Sequence, residues 1–153
     1  MFYECPNIKI INLQNLHIPR VTSMTSMCLA GRKTFGVNYA TKLKTVDMRG
    51  VYAPKLKSMG GAFAGCTGLK NVYFDGMYAP NIENMAQTFW GCTSLEKVDL
   101  SSLGFNQCEM HQMFTRCSKL KTVNLNTTHK SSAKNMSDVF LQCPNLRNVY
   151  MNT

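Results

Sequence analysis

Seven cysteines are the residues of this chain best equipped for chemistry, since a thiolate can ligate metal, exchange into a disulfide or act as a nucleophile. Five of them recur at long, regular intervals: Cys92 follows Cys66 by 26 residues, Cys117 follows after 25 and Cys143 after 26, with Cys5 in the same frame. Zinc ligands within one lobe stand about two to four residues apart, so this spacing builds no chelate. A small thiol also packs as a compact hydrophobe. The five are therefore expected to form a buried column between stacked coils, none of them in a disulfide. Cys108 and His111 are three apart, the spacing of half a metal site, but no second half lies nearby and Cys108 falls in an apolar column. His17 and His129 lie between elements and are expected to be solvated. There is no glycine-rich phosphate loop, no patterned pair of carboxylates and no nucleophile elbow. The chain reads as a protein that is not an enzyme, with no cofactor and no metal.

What positions these residues is a repeat. Phe63-Ala64-Gly65-Cys66-Thr67-Gly68-Leu69-Lys70-Asn71-Val72-Tyr73-Phe74 aligns with Phe89-Trp90-Gly91-Cys92-Thr93-Ser94-Leu95-Glu96-Lys97-Val98-Asp99-Leu100. The stretches beginning at Phe2, Phe114 and Phe140 fit the same frame. The columns are Phe, Cys, Leu, Val and Leu, with Ile or Met as alternatives. A second half carries recurrent prolines (Pro19, Pro54, Pro80), then Val21, Leu56 and Ile82, then Met24, Met59 and Met85. One turn is irregular: from Ile8 to Leu43 is 35 residues, and Ala40 stands where the cysteine belongs. The extra length falls around Cys28 to Gly36, a basic, glycine-flanked stretch that predicts a loop inserted around 28–36 and leaving the stack on one face.

The alternation through Val72, Tyr73 and Phe74 predicts a short strand with one buried side. The three-and-four spacing of Ile82, Met85 and Phe89 predicts one or two helical turns. A coil of this kind cannot bury its apolar side alone, so the core exists between neighbours. The expected fold is an α/β solenoid of about six coils, each with one short parallel strand and one short helix, forming a single unit over residues 1–153. An apolar fraction of 44% beside 16% charged residues supports a folded chain. No run of apolar residues is long enough for a transmembrane helix.

The pattern of Met or Ala, then Phe-x-x-Cys-x-x-Leu-x-x-Val-x-Leu, with a later Val-x-x-Met, resembles the BspA-like leucine-rich repeats, in the roughly 25-residue form common in surface proteins of bacteria such as mycoplasmas and Listeria. The resemblance covers essentially the whole chain. It implies a right-handed leucine-rich-repeat stack used in adhesion or protein recognition, and no catalytic residues. It also points to the cell surface or the extracellular space. Two features pull the other way: Met1-Phe2-Tyr3-Glu4-Cys5-Pro6 shows no signal peptide, and many free cysteines suit a reducing compartment.

Strand alternation then names the outward residues. Asn12, Asp47, Asn71, Tyr73, Lys97, Asp99, Asn124 and Tyr150, with Arg49 and Asp75 a step further on, make a mixed polar face for a protein or cell-surface macromolecule. Two rival surfaces are visible. Lys9, Lys44, Lys70, Lys121 and Arg147, with Glu96 in the same column, would align as a basic ladder for an anionic polymer such as a polyanionic glycan, in keeping with 17 basic against 8 acidic residues and a net charge of +9. The ends carry no visible cap, so Phe2 and Ile8 at one end, and Phe140, Val149 and Met151 at the other, are expected to lie in open layers. Such layers suit end-on self-association or a place in a larger assembly.

Overall fold

The computed structural model describes residues 2, 5, 7–28, 42–127, 129 and 131–151. Six three-residue strands line one wall: β1 (Ile10–Asn12), β2 (Thr45–Asp47), β3 (Asn71–Tyr73), β5 (Lys97–Asp99), β7 (Thr122–Asn124) and β9 (Asn148–Tyr150). A second wall holds β4 (Ala79–Asn84), β6 (Leu103–Glu109) and β8 (Ala133–Asn135). Among the described residues every strand pairing is parallel, in the orders β1-β2-β3, β5-β7-β9 and β4-β6-β8. Isolated bridges from His17 through Tyr52 to Tyr78, and from Ser23 through Ser58 to Asn84, carry the second wall back to the earlier coils. The chain is thus a parallel β-solenoid. Its turns from β2 to β9 run 26, 26, 25 and 26 residues. The longer turn from β1 to β2 passes through the undescribed stretch, and the loop expected around 28–36 lies there apart from Cys28.

Each first-wall strand sits where alternation predicts it. A β-branched residue at its centre points inward: Ile11, Val46, Val72, Val98 and Val123 are all buried, because that side chain fits a pleated, half-buried surface. Pairing places these centres in register, Ile11 on Val46 on Val72 and Val98 on Val123 on Val149.

The expected helix does not form; among the described residues none is helical. The apolar spacing of three and four instead serves a train of tight turns. The N–H groups of Ala62, Ala64, Cys66 and Leu69 donate three residues back, to Met59, Gly61, Phe63 and Cys66. Those of Met59, Gly61, Phe63 and Gly65 donate across to the next coil, to Asn84, Ala86, Thr88 and Trp90. A helix needs consecutive N–H groups to bond four back, and here every second one is committed to a neighbour. Left-handed backbone at Ser26, Gly61, Gln87, Gln112 and Asp138, one per coil, stops any helical run.

The core is a set of columns running along the solenoid. Phe63, Phe89, Phe114 and Phe140 stack with ring centroids 5.5, 5.3 and 5.7 Å apart, an offset arrangement that adds to area burial. Cys28 holds the Phe position of its own coil, donating its N–H to Ala62 as Phe63 does to Thr88. The second wall is tightest at Gly104, where an added Cβ would collide with the carbonyl of Pro80.

Candidate strand-wall recognition site

The strand wall presents most of the outward residues expected of it. Asn12, Arg49, Asn71, Tyr73, Asp75, Lys97, Asp99 and Tyr150 are exposed and Asn124 is half-buried. Asp47 is the correction: it is only 6% exposed. Arg49 donates from Nε and Nη2 to its carboxylate, and the Gln14 amide donates to the same group. The hydrogen bonds from Arg49, against a smaller opposing effect of burial, hold the Asp47 carboxyl well below the usual carboxylate range. Asp47 is a keystone for its neighbours Arg49 and Gln14.

A local rule explains why this column favours Asn and Asp. The side-chain oxygens of Asn12, Asp47, Asp99 and Asn124 accept the N–H two residues on, from Gln14 (3.0 Å), Arg49 (3.1 Å), Ser101 (2.9 Å) and Asn126 (3.0 Å). Each caps the turn that ends its strand. Asn124 also donates through Nδ2 to Asp99 at 3.1 Å. Tyr73 and Tyr150 occupy the same column without that duty. The Arg49 guanidinium lies over the Tyr73 ring, 5.1 Å from its centroid, which props the ring upright.

The wall is interrupted at one place. At the strand starts Lys44 and Thr45 donate to the Lys9 carbonyl, Lys70 and Asn71 to Lys44, Lys121 and Thr122 to Glu96, and Arg147 and Asn148 to Lys121. Glu96 and Lys97 make no such bond to Lys70. At the strand ends Leu13, Met48, Leu100 and Leu125 reach the next coil, whereas Phe74 does not reach Asp99. β3 and β5 therefore belong to separate sheets, although their Cα atoms still approach within 8 Å. Phe74 stands at the gap. It is the bulkiest member of a column otherwise built from Leu13, Met48, Leu100, Leu125 and Met151, and its ring meets Phe89 edge-on at 6.5 Å. Over the gap lies a cavity of about 600 Å³ lined by residues of β3, β5 and β7 with Lys70, Asp75, Glu96 and Lys119. Sequence reasoning did not find this cleft. It depends on where the backbone ladder opens between β3 and β5, and no residue spacing records that.

Lys9, Lys44, Lys70, Lys121 and Arg147 of the cationic column are all exposed. Its continuity is broken, because Lys121 pairs with Glu96 at 2.7 Å. At the ends, Phe2, Ile8 and Phe140 are half-buried against the core, while Val149 and Met151 are 38% and 48% exposed. The second wall carries a feature the sequence reading passed over. His17 stacks on Tyr52 at 4.7 Å and Tyr52 on Tyr78 at 5.4 Å, with His129 edge-on to Tyr78 at 6.3 Å. The signal was there: Tyr52 and Tyr78 are 26 residues apart, one period, each just before an alanine.

The cysteine column packs as a core element. The Cys66, Cys92, Cys117 and Cys143 thiols donate to the carbonyls of Cys28, Phe63, Phe89 and Phe114, at 3.1, 3.2, 3.0 and 3.0 Å. Burial pushes the Cys28, Cys108 and Cys117 thiols up to about 12, and raises those of Cys66 and Cys92 well above the ordinary thiol range. These are inert thiols at neutral pH. Among the described residues no three His, Cys, Asp or Glu side chains gather as metal ligands, and no helix is long and apolar enough to cross a membrane.

Compared with known proteins, residues 39–153 match the family model of the BspA type leucine rich repeat region, in six copies. No curated protein and no solved structure matches the chain.

Proposed function

We propose, from the premise that this chain belongs to the BspA-type leucine-rich repeat family and is thereby a repeat protein suited to protein interaction, that it is a non-catalytic recognition module. Its partner is a protein or another cell-surface macromolecule, met through the strand wall. The observation that carries this reading is the division of labour along that wall. Asn12, Asp47, Asp99 and Asn124 spend their oxygens on the strand-ending turns, which leaves Asn71, Tyr73, Lys97 and Tyr150 outward on a rigid parallel scaffold. Tyrosine brings large contact area at small entropic cost, and a solenoid sets such residues at fixed spacing, about 4.8 Å per rung. The basic column is a weaker candidate surface, since the Lys121–Glu96 pair divides it.

A photo-crosslinking amino acid installed singly at Asn71, Asn148 and, on the second wall, Lys55 tests this in the native setting. Adducts at the two strand-wall positions and none at Lys55 are expected. Equal adducts at all three, or adducts at Lys55 alone, would remove the strand wall from the function.

A further inference from the structure

The cleft between β3 and β5 is built for a narrower class of ligand than the wall as a whole. We propose that it seats a neutral saccharide unit, so that the macromolecule recognised through the strand wall carries glycan. This rests on the reading of that wall as the recognition surface.

Four observations carry it. The first is size: a cavity of about 600 Å³ lies within the roughly 300–1,000 Å³ of small-molecule sites. The second is the mixture of hydrogen-bonding groups. Where the ladder opens, the Lys70 carbonyl and the Lys97 N–H face the gap without the inter-coil bond that their counterparts make. The rim sets Asn71 and Asp75 beside Lys70, Lys97 and Lys119. A sugar hydroxyl donates and accepts at once, so it satisfies either kind of group wherever it lands. The third is an aromatic platform. Arg49 covers one face of the Tyr73 ring from the β2 side, and Tyr73 lines the cleft, so its other face is offered to the apolar C–H face of a pyranose. The fourth is charge. Cationic and anionic side chains both line the cleft, and Asp75 and Asp99 would oppose a sulfate or phosphate.

An extended peptide is the natural competitor, and the geometry works against it. A strand inserted between β3 and β5 would need them about 10 Å apart, twice the spacing of neighbouring strands. Their Cα atoms approach within 8 Å. A ligand must therefore lie over the gap and reach its floor with short hydroxyl groups.

Amide-detected NMR titration of the intact chain tests the proposal. The probes are methyl glucoside, methyl galactoside, methyl mannoside and N-acetylglucosamine, alongside a capped Asn-Gly-Ser tripeptide and a sulfated heparin disaccharide. At least one neutral saccharide is expected to shift the Phe74, Glu96 and Lys97 amides, saturating by about 10 mM. Tyr73→Ala should weaken that binding about tenfold. Tyr73→Phe, which keeps the ring, should leave it within about threefold, and Tyr150→Ala should leave it unchanged. Three results overturn the assignment: no neutral saccharide moves those amides, the peptide or the sulfated sugar moves them more strongly, or Tyr73→Ala binds as tightly as the parent chain. The crosslinking pattern reads the wall separately. Adducts at Asn71 and Asn148 with no saccharide shift would leave the recognition wall standing and dismiss the saccharide.

Discussion

The train of tight turns through Gly61, Gln87 and Gln112, a turn wall, and the strand wall are made by the same repeat, yet the first is closed along its described length and the second is open at one rung. On the turn wall each described coil donates to the next: Gly61 to Ala86, Gln87 to His111, Gln112 to Ser137, with the Phe stack behind. On the strand wall the same coils part between β3 and β5. Core columns set the spacing of a solenoid, and hydrogen bonds form where the columns allow. The closed wall is where stability should reside, and the open wall is where the molecule has surface to offer.

The strongest challenge to that contrast is Phe89→Ala against Tyr73→Ala. Phe89 is fully buried and touches three other rings, so its truncation should cost about 3–5 kcal/mol in urea unfolding. Tyr73 is 38% exposed, and its truncation should cost under about 1 kcal/mol. Comparable losses would show that the two walls share the load.

Next comes thiol reactivity, which reads the closed wall directly. Burial raises the folded pKa values of Cys66, Cys92 and Cys117, so at pH 8 they should resist iodoacetamide in the native chain and react fully in denaturant without reductant. Cys143, half-buried, should react soonest of the four column thiols. Rapid native labelling of Cys92 would mean the wall opens. Cys92→Ala should cost about 1 kcal/mol through its lost bond to the Phe63 carbonyl.

A sharper test of the gap is Phe74→Leu, which gives the column its usual size. It should let β5 close on β3 and slow amide exchange at Phe74 and Lys97, even as the lost ring costs about 1 kcal/mol of core burial. Unchanged exchange at both amides would clear Phe74 of causing the gap.

The smallest effect concerns pH. The Asp47 carboxyl is held low in the folded chain, so its contribution is fully present above the ordinary carboxylate pKa of about 4 and is lost as pH falls below it. Asp47→Asn should therefore be the less stable protein at pH 7, with the difference shrinking as pH drops from about 4 toward 2. A difference that stays constant down to pH 2 would mean that the ion pair with Arg49 contributes nothing.

The legible parts of this molecule are those governed by one coil's own pattern. Six strands fall where alternation puts them, and the central residue of five of them is buried because period two admits one inward side. The cysteine column was legible from spacing alone, and Cys66, Cys92, Cys117 and Cys143 stand as thiols. The helix was misread because apolar residues three and four apart satisfy a helical stripe and a train of three-residue turns equally. What separates the two is where Gly61, Phe63 and Gly65 send their N–H groups, and that depends on the adjacent coil. Alternation puts Asp47 outward, but Arg49 and Gln14 close over it and leave it buried. The cleft was invisible for the same reason, being a relation between the backbones of β3 and β5.

The open rung also has a mechanical meaning. If the solenoid is pulled along its axis, the strand wall has no backbone bonds to break between β3 and β5, while the turn wall and the second wall hold across the same level. The load is then off-centre, and the molecule bends there, the strand wall gaping and the opposite walls acting as the hinge. A protein of this shape under tension would widen its own cleft before it lost a coil.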